Sequence, residues 1–300
     1  MQTLKKIADI LLTYSLVDSD GFNEEIPLIM SIKEKLEKNE ELVFILPAFP
    51  AKSPSLEKTA GELPDFGEVL ALKNLQELCL KVSEVYKPGA RIIICSDGRV
   101  FSDVVLVSDE VIDRYNEGVM TILEEFNLDR LSLFRMDDLY SSLTPQELRN
   151  VLLNDFAAPL AEVKTKVSSD PEYKRLFNGI HRFLFEDLIL LEKNKSRNSI
   201  HKMSKERSYE LLRRSDAWSR LLNTYFKNHL RLSIHPHQLK SEKFGVKLIP
   251  SSSRWATPWH NVVVKIKDRF ELMHKSEALK LNAKLKLERE RYVYFEVTAV

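Results

Sequence analysis

The sequence predicts an α/β fold: a Rossmann-like, mostly parallel sheet flanked by helices, with a helical insertion and some antiparallel C-terminal strands. Three observations predict it. Short apolar runs without polar alternation, LVFIL (42–46), RIIICS (91–96) and LSLFRM (131–136), are separated by helical patterns. Strands that are apolar on both faces belong to a parallel sheet covered on both sides. The chain from 143 to 228 then reads as mainly helical, and alternating strand patterns return only near the C-terminus.

The elements follow in order. MQTLKKIADILLTYSL spaces its apolar residues helically and lacks the small-residue cleavage site of a signal peptide, so it reads as an amphipathic helix. Residues 24–40 read as a second helix leading into LVFIL. Residues 66–86 carry Leu70, Leu72, Leu75, Leu78 and Val82 near one face, and Tyr86-Lys87-Pro88-Gly89 stops them. RIIICS ends at Asp97-Gly98, and 109–127 form a helix before LSLFRM. Thr144-Pro145-Gln146-Glu147 is a helix start, with Thr as N-cap, Pro in the first turn and Glu three residues on. EKNKSRNSIHKMSKER (192–207) is either an exposed loop or a helix with a basic face. Strands are expected at RLSI (231–234), VKLI (246–249), NVVVKI (261–266) and RYVYFEV (291–297). With no internal repeat and no low-complexity tract, residues 1–300 are expected to form one domain.

Composition narrows the function. The 300 residues are 44% hydrophobic and 30% charged with a net charge of +1, which is globular and not the balance of a polybasic nucleic-acid binder. Cys79 and Cys95 make no disulfide framework and no metal-binding spacing, which suits a reducing, cytoplasmic setting. No run of about 18 apolar residues is present to span a membrane. The even total hides an asymmetry. Residues 191–250 hold 14 Lys and Arg against 5 Asp and Glu, and four of the seven histidines. Such a segment is either a solvated basic face or the place of an anionic ligand. The eight glycines form neither G-x-G nor a P-loop, so any phosphate must be held by side chains and helix N-termini.

In an open α/β sheet, ligands bind outside the carboxyl ends of the strands. After LVFIL comes PAFPAKSP (47–54), a proline-stiffened loop that carries Phe49 and offers Lys52 and Ser53 to an anion. After RIIIC comes Asp97, either a catalytic carboxylate or half of an Asp-Gly turn. After RLSI comes His235-Pro236-His237, with Arg231 at the start of the strand and Lys243 beyond. His235 is a candidate acid/base group or a core histidine. His235 and His237 point apart on an extended chain and no third ligand stands at motif spacing, so a zinc site is not expected. Arg254-Trp255-Ala256-Thr257-Pro258-Trp259-His260 places two tryptophans beside cations, which suits a flat ligand or a core edge. No G-x-S-x-G elbow is present, so a serine hydrolase is not expected. If RLSI and NVVVKI run antiparallel in one sheet, His235 and His260 meet at the same edge, and that arrangement is expected.

Four blocks then carry a family resemblance: LPAFPAKSPSLEKTAGELPDFGEVLAL (46–72), YKPGARIIICSDGRVFSDVVLVSDE (86–110), RLSIHPHQLKSEKFGVKLIP (231–250) and TPWHNVVV (257–264). In content and order they closely resemble the pyoverdine/dityrosine biosynthesis family, whose bacterial members are isonitrile synthases. The resemblance runs from about residue 20 to 280. It implies that the α-amine of an aromatic L-amino acid, tyrosine favoured over tryptophan, condenses with the C2 carbonyl of ribulose 5-phosphate. Carbon–carbon cleavage and phosphate loss then leave C2 on nitrogen as an isocyanide. It implies no metal and no organic cofactor, and an iron/2-oxoglutarate oxygenase as pathway partner. The candidates for proton transfer are His235, His260 and Asp97. Those for phosphate or carboxylate binding are Lys52, Ser53, Arg231, Lys243 and Arg254, and those for an aromatic pocket are Phe49, Trp255 and Trp259. Two other readings remain: a non-catalytic module binding a phosphorylated metabolite, and a sugar-phosphate lyase using a Lys52 Schiff base.

Overall fold

The computed structural model describes residues 2–17, 25–238, 241–251 and 253–297. Five parallel strands form the first sheet in the order β3-β2-β1-β4-β5. They are β1 (Leu42–Pro47), β2 (Ala90–Cys95), β3 (Leu131–Phe134), β4 (Leu230–Ser233) and β5 (Phe244–Gly245). Alternate residues of β1 and β2 enter different cores. Phe44, Leu46, Ile92 and Ile94 join the larger apolar cluster, while Ile45, Ile93 and Cys95 join a second one with Trp218, Leu221 and Leu222. Both faces are therefore buried, and that burial is why the strands read as continuous apolar runs.

The larger cluster is covered by α1 (Gln2–Thr13), α2 (Pro27–Glu37), α3 (Phe66–Val85) and α5 (Asp109–Glu125). Helix α1 buries Leu4, Ile7, Ala8 and Leu11, the expected amphipathic stripe. Helix α3 starts in a capping box: Asp65 accepts from the Gly67 amide at 2.7 Å, and Glu68 reaches back to the Asp65 amide at 2.9 Å. Between β2 and α5 lies α4 (Gly98–Val105), where the sequence suggested only a turn. The long crossover from β3 to β4 holds α6 (Pro145–Asp155), α7 (Leu160–Ser169), α8 (Pro171–Leu191) and α9 (Arg197–Tyr225). Helix α9 takes in most of the polar 192–207 stretch, settling loop against helix there. It is tied to α4 by Arg214, which pairs with Asp103 and donates to Val100 O at 2.9 Å.

The second sheet, β7-β6-β9-β8, mixes parallel and antiparallel pairs. Its strands are β6 (Val262–Ile266), β7 (Arg269–Met273), β8 (Lys284–Glu288) and β9 (Tyr292–Val297), with α10 (Lys275–Lys280) between β7 and β8. Two expectations are corrected. VKLI is not a strand beyond one bridge, Ser15 to Val246, because pairing on that side ends with the short β5. RLSI and NVVVKI do not pair: β4 lies in the parallel sheet and β6 in the mixed one. Among the described residues no helix is long and apolar enough to cross a membrane.

Candidate active site

The chain runs from β1 outward through β2 to β3, then returns to the other side of β1 as β4. That reversal opens a crevice at the carboxyl ends of β1 and β4. Its walls are close-packed backbone. Phe49, just past β1, sits in the left-handed region at φ 58°, a strain that only surrounding structure sustains. The Ser96 hydroxyl lies 3.0 Å from Phe49 O and 2.8 Å from Asn116 Oδ1, holding that turn. Gly98 lets α4 abut the same loop, since a Cβ there would lie 1.9 Å from Pro50 O. Gly245 does likewise for the end of β4, where a Cβ would lie 2.6 Å from His235 O.

Arg231 is opposite Ile45, which is opposite Ile93, so all three lie on the α9 face of the sheet. Its Nη2 donates to Ser219 Oγ at 3.1 Å. Its Nε and Nη1 are buried with no partner among the described residues, and burial holds its pKa below the ordinary value. Asp97, beyond β2, also has a buried, unpartnered Oδ1 and does not cap α4. Burial raises its carboxyl to about 7, opposed by a backbone hydrogen bond and by Arg231. Lys243 makes no ion pair among the described residues, and burial, then Arg231, lowers its pKa. His237 Nε2 lies 3.0 Å from Ser233 Oγ. Its pKa is lowered mainly by burial, then by Lys243.

His235 joins this group with a buried, unpartnered Nδ1. Burial, His237, His260 and Lys243 push it down to about 4. His260 is pushed down to about 3 by burial, then by Lys58 and Lys52. His260 is near enough to act on the charge of His235, although their strands do not share a sheet. What brings them together is the loop after β1. Lys52 Nζ donates to Pro258 O at 2.9 Å, and the Ser53 amide donates to Trp259 O at 2.8 Å, pinning the His260 turn to the parallel sheet.

The structure places five of the expected site residues elsewhere. Lys52 is 1% exposed, and its three N–H bonds go to Asp65 at 2.8 Å, Glu68 at 2.8 Å and Pro258 O. Ammonium has no fourth donor, so Lys52 is scaffold and neither an anion ligand nor a Schiff-base nucleophile. Ser53 is buried, with its hydroxyl 3.3 Å from Asp187 Oδ1. Phe49 and Trp259 are 0% and 2% exposed and pack on each other at 5.3 Å between centroids, so they are core beneath the crevice and not its lining. Arg254 is exposed and borders a small cavity with Leu16, Ile234, Val246 and Ile249. Trp255 remains at the crevice, against the His235 ring at 5.2 Å.

Helix α8 supplies residues that the sequence did not single out. Asp187 pairs with Lys58 at 2.7 Å, and Phe183 stands against the His260 ring at 5.1 Å. The helical run was legible, but nothing in it said which stripe would meet the sheet. Among the described residues no cluster of three or more His, Cys, Asp or Glu side chains is arranged to hold a metal ion.

Comparison with known proteins agrees with this architecture. The chain is 42% identical to the L-tryptophan isonitrile synthase AmbI2 of Fischerella ambigua, covering 91% of this chain and 82% of that protein. It is 38% identical to the L-tyrosine isonitrile synthase of Pseudomonas aeruginosa, covering 83% and 77%. The crystal structure of PvcA from Pseudomonas aeruginosa superposes with a TM-score of 0.91 at 33% identity, covering 98% of this chain and 99% of that one. The model of the family described as pyoverdine/dityrosine biosynthesis protein matches residues 32–286, and the chain belongs to that family.

Proposed function

We propose that this chain is an isonitrile synthase that joins an aromatic L-amino acid, tyrosine first and tryptophan second, to ribulose 5-phosphate. The relatives' activities support the reaction class. The observation that carries the site is Arg231, with two unpartnered buried nitrogens, near enough to Asp97, with an unpartnered buried oxygen, for each charge to act on the other. Unmatched cations beside a carboxyl that titrates near 7 fit a phosphorylated substrate and an amine that must lose a proton.

In this reading Arg231 and Lys243 hold the phosphate by charge-assisted hydrogen bonds. Asp97 takes a proton from the α-ammonium, since imine formation needs the neutral amine. A carboxyl near 7 is half ionised at neutral pH, close to the optimum for moving protons both ways. His235 and His260 are neutral there and accept hydrogen bonds; a bound dianion would raise their affinity for protons. The amine attacks C2 of the sugar phosphate and water leaves. Carbon–carbon cleavage and phosphate loss follow, leaving C2 on nitrogen. Carbonyl and amine both come from the substrates, so the reading invokes no metal or organic cofactor. The product is an isocyano acid, for which an iron/2-oxoglutarate oxygenase is the proposed next enzyme.

The test is purified protein with L-tyrosine or L-tryptophan and ribulose 5-phosphate labelled at C2, without added metal. The expected product carries the label in the isocyanide carbon. If no labelled isocyanide forms from either amino acid, the reading fails.

A further inference from the structure

Two aromatic side chains at the crevice lack the packing that explains the others. Phe183 joins none of the four apolar clusters, and its aromatic neighbour is the His260 ring, 5.1 Å away and tilted by 41°. Trp255 is 52% exposed, whereas Trp218 and Trp259 are each 2% exposed. Its aromatic neighbour is the His235 ring, 5.2 Å away and tilted by 38°. Each crevice histidine thus has one aromatic ring beside it, and neither ring is enclosed by the core.

The direction of Phe183 is fixed by its helix. Residues four apart on a helix share a face. Asp187, four residues on, is bound to Lys58 at 2.7 Å and lies 3.3 Å from Ser53 Oγ, so that face of α8 is anchored on the loop after β1. Lys58 also reaches Phe183 O at 3.5 Å. The turn carrying Phe183 is therefore held over the crevice. Trp255 approaches from the segment that leads to the pinned 258–260 turn. Large apolar rings left outside a core beside convergent polar groups mark a ligand site.

We propose that Phe183 and Trp255 flank a slot for the aromatic ring of the amino-acid substrate, with His260 and His235 lining it. This assignment rests on the aromatic-amino-acid reading above, and it makes Phe183 a specificity-determining residue. Ring against ring contributes beyond simple burial, enough for about a 2- to 10-fold change in affinity per aromatic side chain.

A binding measurement separates the slot from the chemistry. Because two tryptophans are buried, acrylamide quenching of tryptophan emission reports chiefly on Trp255. L-Tyrosine should shield it and L-alanine should not. Phe183→Ala should weaken L-tyrosine binding about 2- to 10-fold and leave ribulose 5-phosphate binding unchanged, and Phe183→Tyr should restore it. Should Phe183→Ala not fold, Phe183→Leu keeps the apolar bulk and removes the ring. If wild type binds L-tyrosine with Trp255 shielded but forms no isocyanide, the slot stands and the reaction fails. If isocyanide forms while Phe183→Leu and Trp255→Leu both keep the wild-type KM for tyrosine, the reaction stands and the slot is overturned. A shift confined to the pH profile, with that KM unchanged, would also overturn it, because the rings would then only shield the histidines.

Discussion

Lys52 and Arg231 are both cations near the carboxyl end of the parallel sheet, and their surroundings differ in kind. Lys52 has two carboxylates and a carbonyl for its three donors, with Tyr115 completing Glu68 at 3.0 Å. Those carboxylates outweigh the burial that would discharge it, so its pKa is raised. Arg231 has a single hydroxyl for five N–H bonds, and burial lowers its pKa. A saturated cation fastens the fold. A buried cation without a counter-ion is costly unless something else supplies the anion. The contrast separates scaffold from site more sharply than position relative to a strand does.

The largest effect should come from Asp97. Asp97→Asn keeps the shape and removes proton transfer, for an expected 100- to 10,000-fold loss of turnover in a folded protein. Turnover within a few-fold of wild type would move that role elsewhere. Next comes the contrast itself. Lys52→Met leaves Asp65 and Glu68 uncompensated and should cost about 3–5 kcal/mol in a denaturant titration. Arg231→Met should leave the unfolding midpoint nearly unchanged while weakening ribulose 5-phosphate binding roughly 30- to 150-fold. The reverse outcome, an unstable Arg231 variant and a ligand-blind Lys52 variant, would break the comparison.

The smallest effects are pH-dependent and differ in sign. His235 and His260 fall from the usual 6.5 to about 4 and about 3. Their contribution to stability is present above pH 6.5 and lost as pH falls through those values. Replacing both by Gln should make unfolding midpoints less acid-sensitive below pH 6.5. Asp97 is raised from 3.8 to about 7, so its contribution is full below pH 3.8 and lost as pH rises through 7. Asp97→Asn should therefore gain stability relative to wild type from pH 5 to pH 8. Parallel curves for wild type and variants would contradict the burial of these groups.

Much of the parallel sheet was legible because burial on both faces writes uninterrupted apolar runs. The mixed sheet was half legible. NVVVKI and RYVYFEV stood out, but β8, KLKLE, is exposed along most of its length and carries little apolar signal. At the site, strand ends led to Asp97 and His235, since the chain must pass the crevice there, and Arg231 was picked out at the start of the strand that His235 follows. They also led to Lys52 and Phe49, because strand position says nothing about which partners absorb a side chain. The partners of Lys52 sit in a capping box, whose sequence pattern announces a helix start and no ion pair. Phe183 was missed for a similar reason: helical periodicity gives a face, and only the Lys58–Asp187 pair says where that face points.

The crossover between β3 and β4 contains four helices, yet it leaves and rejoins the parallel sheet without contributing a strand. The charged groups proposed for the phosphate and the proton sit on or beside the strands of the parallel sheet, whereas Phe183 rides on the excursion. Inheritance can therefore act on the two separately. On the proposed slot, drift within residues 145–225 reshapes the Phe183 wall while the Trp255 wall and the groups on the sheet stay in place. Exchanging that excursion between relatives that use different amino acids should carry across the part of the preference set by Phe183, provided Asp187 and Arg214 still meet Lys58 and Asp103. One wall of the proposed slot, Phe183, thus travels with the crossover, while the other, Trp255, stays with the segment before β6.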